Sequence, residues 1–423
     1  MSAVVIPHSE PWLSAGGVAD VLAAAGHEVF FVGGCVRDLL LDRAVKDVDV
    51  ASAAHPEQVE AACAAAGLKT IAVGKSFGVI IVVSPSGLNV EVATFRCDGQ
   101  YVDGRRPATV RYSTAREDVE RRDFTLNALL LDPRGGAVID HVGGLADLTA
   151  RRLRAVGDAH ARLREDRLRV LRGVRFAAHL DLAIDPTTWA AITTTPLSGL
   201  SAERLMQEWE KGLAARPAAW FELLARSGRL GEFAPPLAAA DPVALTQAGQ
   251  ALARSQPDDG FVVRAALCLG PATRDAATAA AAAAWVKLQP LPKATSERIA
   301  WLVTWVRAGD QLAGLPPAQR WRILRSGHPR DLIRTLRAAQ PDHPRLAELG
   351  AWSVDPRAGP AWKPTLRAGD VLTLGASPGP ALGRILATCE DAELEGHVTG
   401  RDDLLGLASR LLREPPTDTP PRV

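Results

Sequence analysis

The chain is poor in cysteine, has no surplus of charge and carries no long apolar run, and each shortage narrows what it can be. Five cysteines in 423 residues stand at 35, 63, 97, 268 and 389 with no Cys-x-x-Cys pair. That excludes a disulfide framework or a zinc knuckle and suits a reducing compartment, so a cytoplasmic location is expected. Lysine plus arginine numbers 49 and aspartate plus glutamate 48, so a nucleic-acid partner has to be met by a local basic surface rather than by net charge. The longest apolar run, 276–286, is interrupted by Thr278. It is too short to span a bilayer, and no membrane partner is expected. The N-terminal residues lack a basic stretch followed by an apolar core, so no export signal is expected either.

What is present divides into two characters. The first third reads as mixed α and β. HEVFFVGG (27–34) is a strand ending in a glycine turn, CVRDLLLD (35–42) a short helix, and KDVDVAS (46–52) a strand. PEQVEAACAAAG (56–67) is a helix with Pro at its start and Gly past its end. GVIIVV (78–83) and LNVEVATF (88–95) are strands joined by the hairpin signal SPSG. Residues 97–112 are polar and rich in Gly and Arg, a long loop of the kind that carries function. Thr114 and Glu117 form a capping-box pattern for a helix running to about Arg122. From about residue 158 onward alanine, leucine and arginine dominate at helical spacing, with breaks near 235, 256, 290, 315 and 356.

The chemistry-bearing residues begin at the glycine turn. Gly33-Gly34 clears backbone for a close ligand, and a helix start favours its negative charge. Arg37 is placed to fork onto phosphate oxygens. Asp47 and Asp49, two apart in an extended segment, share a face. A half-exposed strand is the ordinary reading of such a pair. Yet aspartate is depleted in strands, and two on one face repel unless a cation lies between them. Glu91, alternating with valines in VEVATF, offers a third carboxylate from a neighbouring strand. Three carboxylates on one sheet face beside a Gly turn and an arginine describe metal-assisted phosphoryl or nucleotidyl transfer.

Further along, Arg121-Arg122-Asp123 closes a helix, where paired arginines also suit the helix dipole. HARLREDRLRVLRGVRFAAH (160–179) reads as one helix. Glu165, Asp166, Arg169, Arg172 and Arg175 fall within about half its wheel, and Val170, Leu171, Val174 and Ala178 lie opposite. By pattern alone the charged side is a solvated face with pairs worth tenths of a kcal/mol.

In order along the chain, GG-x-VRD (33–38), DVD (47–49), VEVATFR (90–96), RRDFTLNAL (121–129), D-x-x-GG-x-x-DL (140–148), EDxxRxxRxxRF (165–176) and LSAER (200–204) resemble the class II CCA-adding tRNA nucleotidyltransferase and bacterial poly(A) polymerase family. The resemblance covers about the first half of the chain. It implies an α+β head with a small mixed sheet of the polymerase-β-like nucleotidyltransferase kind (1–152), a helical neck that recognises the base (153–235) and an all-α body and tail that bind tRNA (236–423). It implies Asp47 and Asp49 as ligands of Mg2+, Glu91 as a third catalytic carboxylate, and Gly33, Gly34 and Arg37 at the phosphates. Arg122 and Asp123 are implied at the nucleotide and its ribose, with Asn127 as a buttress.

Asp166 and Arg169 resemble a protein template. A carboxylate accepts from the amine of cytosine or adenine while a guanidinium donates to the ring nitrogen beside it; uracil and guanine present a carbonyl there instead. Arg172 and Arg175 are implied as further nucleotide contacts, and Glu165 as the residue holding Arg169. Asp140 with Gly143-Gly144 is expected to shape the head–neck joint, and Ser201–Glu203 to cap a helix.

The implied reaction is untemplated addition of C, C and A to the 3′ end of tRNA from CTP and ATP. The full-length 97–112 segment, with Asp103 and Arg105-Arg106, favours complete addition. VGKSFGVIIV (73–82) also resembles the tRNA enzymes more than the poly(A) polymerases. Poly(A) synthesis and partial A-adding or CC-adding activity remain alternatives, as does a helical RNA-binding protein with an inactive head. The C-terminal half has no His-Asp dipeptide, so no metal-dependent phosphohydrolase domain is expected, and 366–386 loosely resembles the tail of relatives that lack one. Oligomeric state cannot be read from the chain.

Overall fold

A computed structural model describes residues 3–98, 110–273, 275–307 and 309–413. It divides into two compact units between Ala238 and Ala239.

The first unit is built on a seven-stranded mixed sheet. Its strands come from β1 (Val29–Val32), β2 (Val50–Ser52), β3 (Lys69–Gly74), β4 (Val79–Val83), β5 (Asn89–Thr94), β8 (Leu130–Leu131) and β9 (Val138–Ile139), in the order β3-β4-β5-β2-β1-β8-β9. Between β5 and β8 in sequence, β6 (Arg96–Asp98) and β7 (Val110–Tyr112) pair as a separate antiparallel ribbon. Only β2 and β5 run parallel; every other neighbouring pair in the large sheet is antiparallel. The SPSG turn closes β4 onto β5, with Ser84 N donating to Leu88 O at 2.8 Å. Helices α1 (Trp12–Ala24) and α3 (Pro56–Ala65) pack against the sheet, and α2 (Gly34–Leu40) follows β1 directly. Ile80, Val82, Val90 and Val92 are buried while Asn89 and Glu91 are exposed, so β5 alternates inward and outward as its sequence requires.

Two expectations need correction at the edges. The polar loop begins and ends inside β6 and β7, and its central residues 99–109, with Asp103 and Arg105-Arg106, lie outside the described residues. The strand expected over 46–52 enters the ladder only at Val50. Its partner β1 pairs Val29 through Phe31 with Ser52 through Val50 and then turns away at Gly33, so residues 46–48 have nothing to pair with there. Asp49 contributes its carbonyl alone, accepting from Val32 N at 3.1 Å.

Helix α4 (Ala115–Glu120) starts at the Thr114–Glu117 capping box, with both reciprocal bonds at 3.3 Å. After it comes α5 (Gly144–Thr149), whose start is organised by Asp140. The Asp140 carboxylate accepts from the backbone N–H groups of Val142, Gly143, Gly144 and Leu145 at 2.8–3.0 Å. Gly144 is required by close approach: a Cβ there would lie 2.3 Å from the Thr125 carbonyl. The fully buried Asp147 in α5 accepts from Thr125 Oγ1, Arg152 and Arg154, which ties the turn after α4 to the chain leaving the head.

Beyond residue 152 the unit is helical except for a two-residue parallel pair, β10 (Arg152–Leu153) with β11 (Ala183–Ile184). The helix expected over 160–179 is two helices, α6 (Ala159–Glu165) and α7 (Leu168–Leu180), broken at Asp166. Asp166 sits at φ −139° and its Oδ1 accepts from Leu168 N at 3.1 Å, the local side-chain bond with which aspartate competes against a continuous helix. Then follow α8 (Pro186–Thr194), α9 (Ala202–Ala214) and α10 (Pro217–Arg226). Ser201 stands at the N-cap of α9 but makes no side-chain cap bond.

The second unit is entirely α and 3-10 helical among its described residues. No described helix is long and apolar enough to cross a membrane.

Candidate active site

The glycine turn is set by β1 ending at Val32. Gly33 takes φ +85°, a conformation that strains any side chain, and a Cβ on it would come within 3.3 Å of Arg122 Nη1. Gly34 opens α2. Arg37, one turn on, is buried and already committed. Its Nε and Nη2 donate to the two Asp38 oxygens at 2.9 and 2.8 Å, and its Nη1 donates to Asn127 Oδ1 at 2.5 Å. Arg37 thus backs the turn from below, held by protein partners.

The carboxylates come together through strand register. Val50 of β2 is aligned with Val92 of the parallel strand β5. Asp49 and Glu91, the residues just before them, are therefore side by side on the exposed face, with Asp47 following on the same side. Part of Asp49 reaches solvent, yet its carboxyl is pushed up to about 6. Desolvation is the main cause and the Glu91 charge the next; Arg122 pulls the other way, and Asp47 adds repulsion. Among the described residues no three His, Cys, Asp or Glu side chains close into a metal cage. The donor set is an open one, carboxylates that repel each other beside the Gly33-Gly34 turn. Such a set fits a hard divalent cation, which takes oxygen ligands and keeps positions for other oxygens.

The helix-end motif forms the opposite wall. Asp118 is buried between Arg121 and Arg122, accepting from Arg121 Nη2 at 2.5 Å and Arg122 Nη2 at 3.1 Å. This ion cluster aims Arg122 at the Gly33 turn. Asp123 is buried and fully bonded: Oδ1 accepts from Phe124 N and Asn127 Nδ2, and Oδ2 from Arg172 at 2.7–2.8 Å. Its burial alone would raise the carboxyl; Arg172 and Asn127 overcome that and hold it down at about 2. Asn127 therefore bridges Arg37 to Asp123.

The charged side of α6 and α7 is no solvated face. Arg169 is buried, its Nη1 donating to Glu165 at 2.6 Å and to Arg162 O, its Nη2 to Arg121 O at 3.2 Å. Arg175 pairs with the buried Glu208 of α9 at 2.8 Å. Asp166 Oδ2 accepts from Arg204, also on α9, at 2.8 Å. The guanidinium groups of Arg37, Arg172 and Arg175 all lie over the Phe176 ring, at 5.2, 5.2 and 4.4 Å from its centroid. The structure thus joins the two sequence groups, glycine turn with carboxylates and RRD with the neck arginines, through Asn127 and Arg122.

Sequence reasoning missed Asp118, Arg204 and Phe176. Asp118 left a readable signal, since it stands three and four residues before two arginines. Arg204 and Phe176 close the LSAER and EDxxRxxRxxRF motifs, but their roles were not read there, because what they do depends on partners elsewhere in the fold.

With this geometry in view, residues 29–154 match the Poly A polymerase head domain. A solved Bacillus stearothermophilus CCA-adding enzyme, in complex with CTP, is similar over 95% of this chain and 98% of its own, at 30% identity and a TM-score of 0.74. The chain belongs to the CCA-adding enzyme family. The CCA-adding enzyme of Geobacillus thermodenitrificans is 46% identical over 233 residues, 54% of this chain and 56% of that protein. One from Streptococcus pyogenes is 46% identical over 194 residues, 45% of this chain and 47% of that protein. The chain thus spans about half the length of the curated relatives it matches. A Thermotoga maritima CCA-adding enzyme complexed with tRNA, 21% identical with a TM-score of 0.69, repeats the fold over 96% of this chain and 97% of its own.

Proposed function

We propose that this protein adds C, C and A to the 3′ end of tRNA from CTP and ATP, without a nucleic-acid template and with Mg2+, releasing pyrophosphate. The observation that carries the reading is the register that sets Asp49 beside Glu91, next to the Gly33 turn, with Asp49 raised to about 6 by its surroundings. Asp47 and Asp49 are the residues that would hold the ion, with Glu91 beside them. When bound, Mg2+ lowers the pKa of an attacking hydroxyl and neutralises a departing pyrophosphate.

The chain's own residues do the rest. Gly33 and Gly34 let the triphosphate approach the backbone, and Arg37 fixes the turn that presents it. Arg122, anchored on Asp118, reaches the same turn and offsets phosphate charge. Asp123, kept ionised by Arg172 and held by Asn127, stands at the ribose and sets the negative charge there. Asp166 accepts from the amine of C or A through the lone pairs that Leu168 N–H and Arg204 leave open, and Arg169, held by Glu165, donates to the ring nitrogen. Arg172 and Arg175 line the same pocket.

In this reading 1–152 is the catalytic head, 153–235 the base-reading neck and 236–423 the tRNA-holding body and tail. The protein works in the cytoplasm.

The test is purified protein with Mg2+, labelled CTP or ATP, and tRNA ending at the discriminator base, after one C or after two. Addition of C, C and A followed by a stop is expected. Long A tails would make the protein a poly(A) polymerase, C alone or A alone a partial enzyme, and no incorporation by folded protein would leave an RNA-binding module.

A further inference from the structure

Arg162 stands on α6, three residues before the EDxxRxxRxxRF motif, and none of the roles above rests on its side chain. The guanidinium is mostly buried and meets four protein acceptors. Nε donates to Val156 O at 3.2 Å and Nη2 to Glu120 O at 2.7 Å. Nη1 donates both to Arg121 O at 3.0 Å and to Glu165 Oε2 at 2.8 Å. Arg162 is therefore committed to protein rather than to a ligand.

Glu120 ends α4 and Arg121 is its C-cap. A cation that closes carbonyls left open at a helix end accounts for those two bonds. It does not account for what Arg162 shares with Arg169. Arg169 has three acceptors among the described residues: Glu165 Oε2 at 2.6 Å, Arg121 O at 3.2 Å and Arg162 O at 2.9 Å. The first two also accept from the Arg162 side chain, and the third is Arg162's own carbonyl. Every hydrogen-bonded anchor of Arg169 thus runs through one residue. These bonds also decide which edge of Arg169 stays open. Both hydrogens of Nη1 and one of Nη2 are taken. Nε–H and the second Nη2–H remain, side by side on the planar fork, and neither nitrogen is a buried orphan.

We propose that Arg162 is a positioning residue for base selection: it holds Arg169 so that the open edge of its guanidinium meets the incoming base. The inference rests on the base-reading role proposed above for Arg169. The N3 atom of cytosine accepts a hydrogen bond, whereas N3 of uracil carries a hydrogen. A guanidinium fixed in place meets that hydrogen donor to donor, and one free to swing avoids it. Selectivity of this kind depends on the repulsive contact as much as on the attractive one, so loosening Arg169 lowers selectivity more than it lowers binding.

The readout is the ratio of dissociation constants for UTP and CTP, measured by equilibrium binding to the full chain with Mg2+ and without tRNA. R162Q should lower that ratio about tenfold. In an R169Q background the same change should move it by about twofold or less, because Arg162 acts through Arg169. A wild-type ratio in folded R162Q would overturn the proposal, as would an equal further drop in the R169Q background. Should R162Q fail to fold, R162K decides by the same ratio: an ammonium keeps a charge beside Glu165 but lacks the planar fork, so the ratio should still fall, and a wild-type value overturns the proposal. A wild-type chain with no preference for CTP would strike the proposed base reading and this inference with it, whereas a preference that R162Q leaves intact strikes this inference alone.

Discussion

The two walls of the site are charged in opposite ways and handle their charge in opposite ways. On the sheet side Asp47, Asp49 and Glu91 gather negative charge that Arg122 offsets in part at Asp49, which is left raised to about 6. On the neck side each arginine has an anionic or carbonyl partner: Arg169 with Glu165, Arg172 with Asp123, Arg175 with Glu208. The first wall is incomplete as protein and stores repulsion for a cation to relieve. The second is complete as protein, and fixes where its donors and acceptors stand before any nucleotide arrives. In the proposed function, chemistry and choice of base would therefore rest on different physics, one on an unbalanced field and the other on a balanced network.

The comparison is broken most directly at the unbalanced wall. Asp49→Ala should lower nucleotide incorporation by about a thousandfold or more, since a metal ligand is worth several kcal/mol in transition-state charge stabilisation. The same change removes repulsion, so the melting temperature should hold or rise. A large fall in melting temperature would mean that Asp49 is a structural carboxylate.

Asp123→Asn tests the balanced wall in the reverse sense. It leaves Arg172 without its counter-charge and should cost about 3 kcal/mol in denaturant unfolding. Asp123 is held down at about 2 in the folded protein, so its contribution is present above the ordinary carboxylate range and fades as pH falls toward about 2. Stability measured against pH should accordingly be flatter on its acid side in the variant; an unchanged acid limb would deny the pair its weight. Asp166→Ala should have the smallest effect, relaxing discrimination against UTP by about ten- to a hundredfold. Competition between CTP and UTP measures it, and unaltered selectivity would remove Asp166 from base reading.

How far the chain could be read from sequence differs between the two walls in the same way. The sheet side was legible because its signals are local: the Gly turn, the SPSG hairpin, the capping box at Thr114 and Pro56 at a helix start each act within a few residues. The alternation of Asp47, Val48 and Asp49 was correct about the shared side but not about the strand, because pairing requires a partner, and β1 ends at Val32. The neck was less legible. The spacing of Glu165 through Arg175 reads as one helix, and nothing in periodicity distinguishes an aspartate inside a helix from one that stops it. Whether that charged side faces water or protein depends on Arg121, Asp123 and Glu208, which lie over thirty residues away.

Asn127 carries a last consequence, for the sequences this fold can accept. Its oxygen accepts a hydrogen bond from Arg37 and its nitrogen donates one to Asp123, so the bridge needs an acceptor and a donor on one planar group of fixed length. Aspartate would supply two acceptors and face Asp123 with like charge. Leucine would take one bond from each neighbour, and glutamine would overshoot them by a methylene. Position 127, which touches no reacting atom in the proposed scheme, is thereby among the least interchangeable letters of the chain.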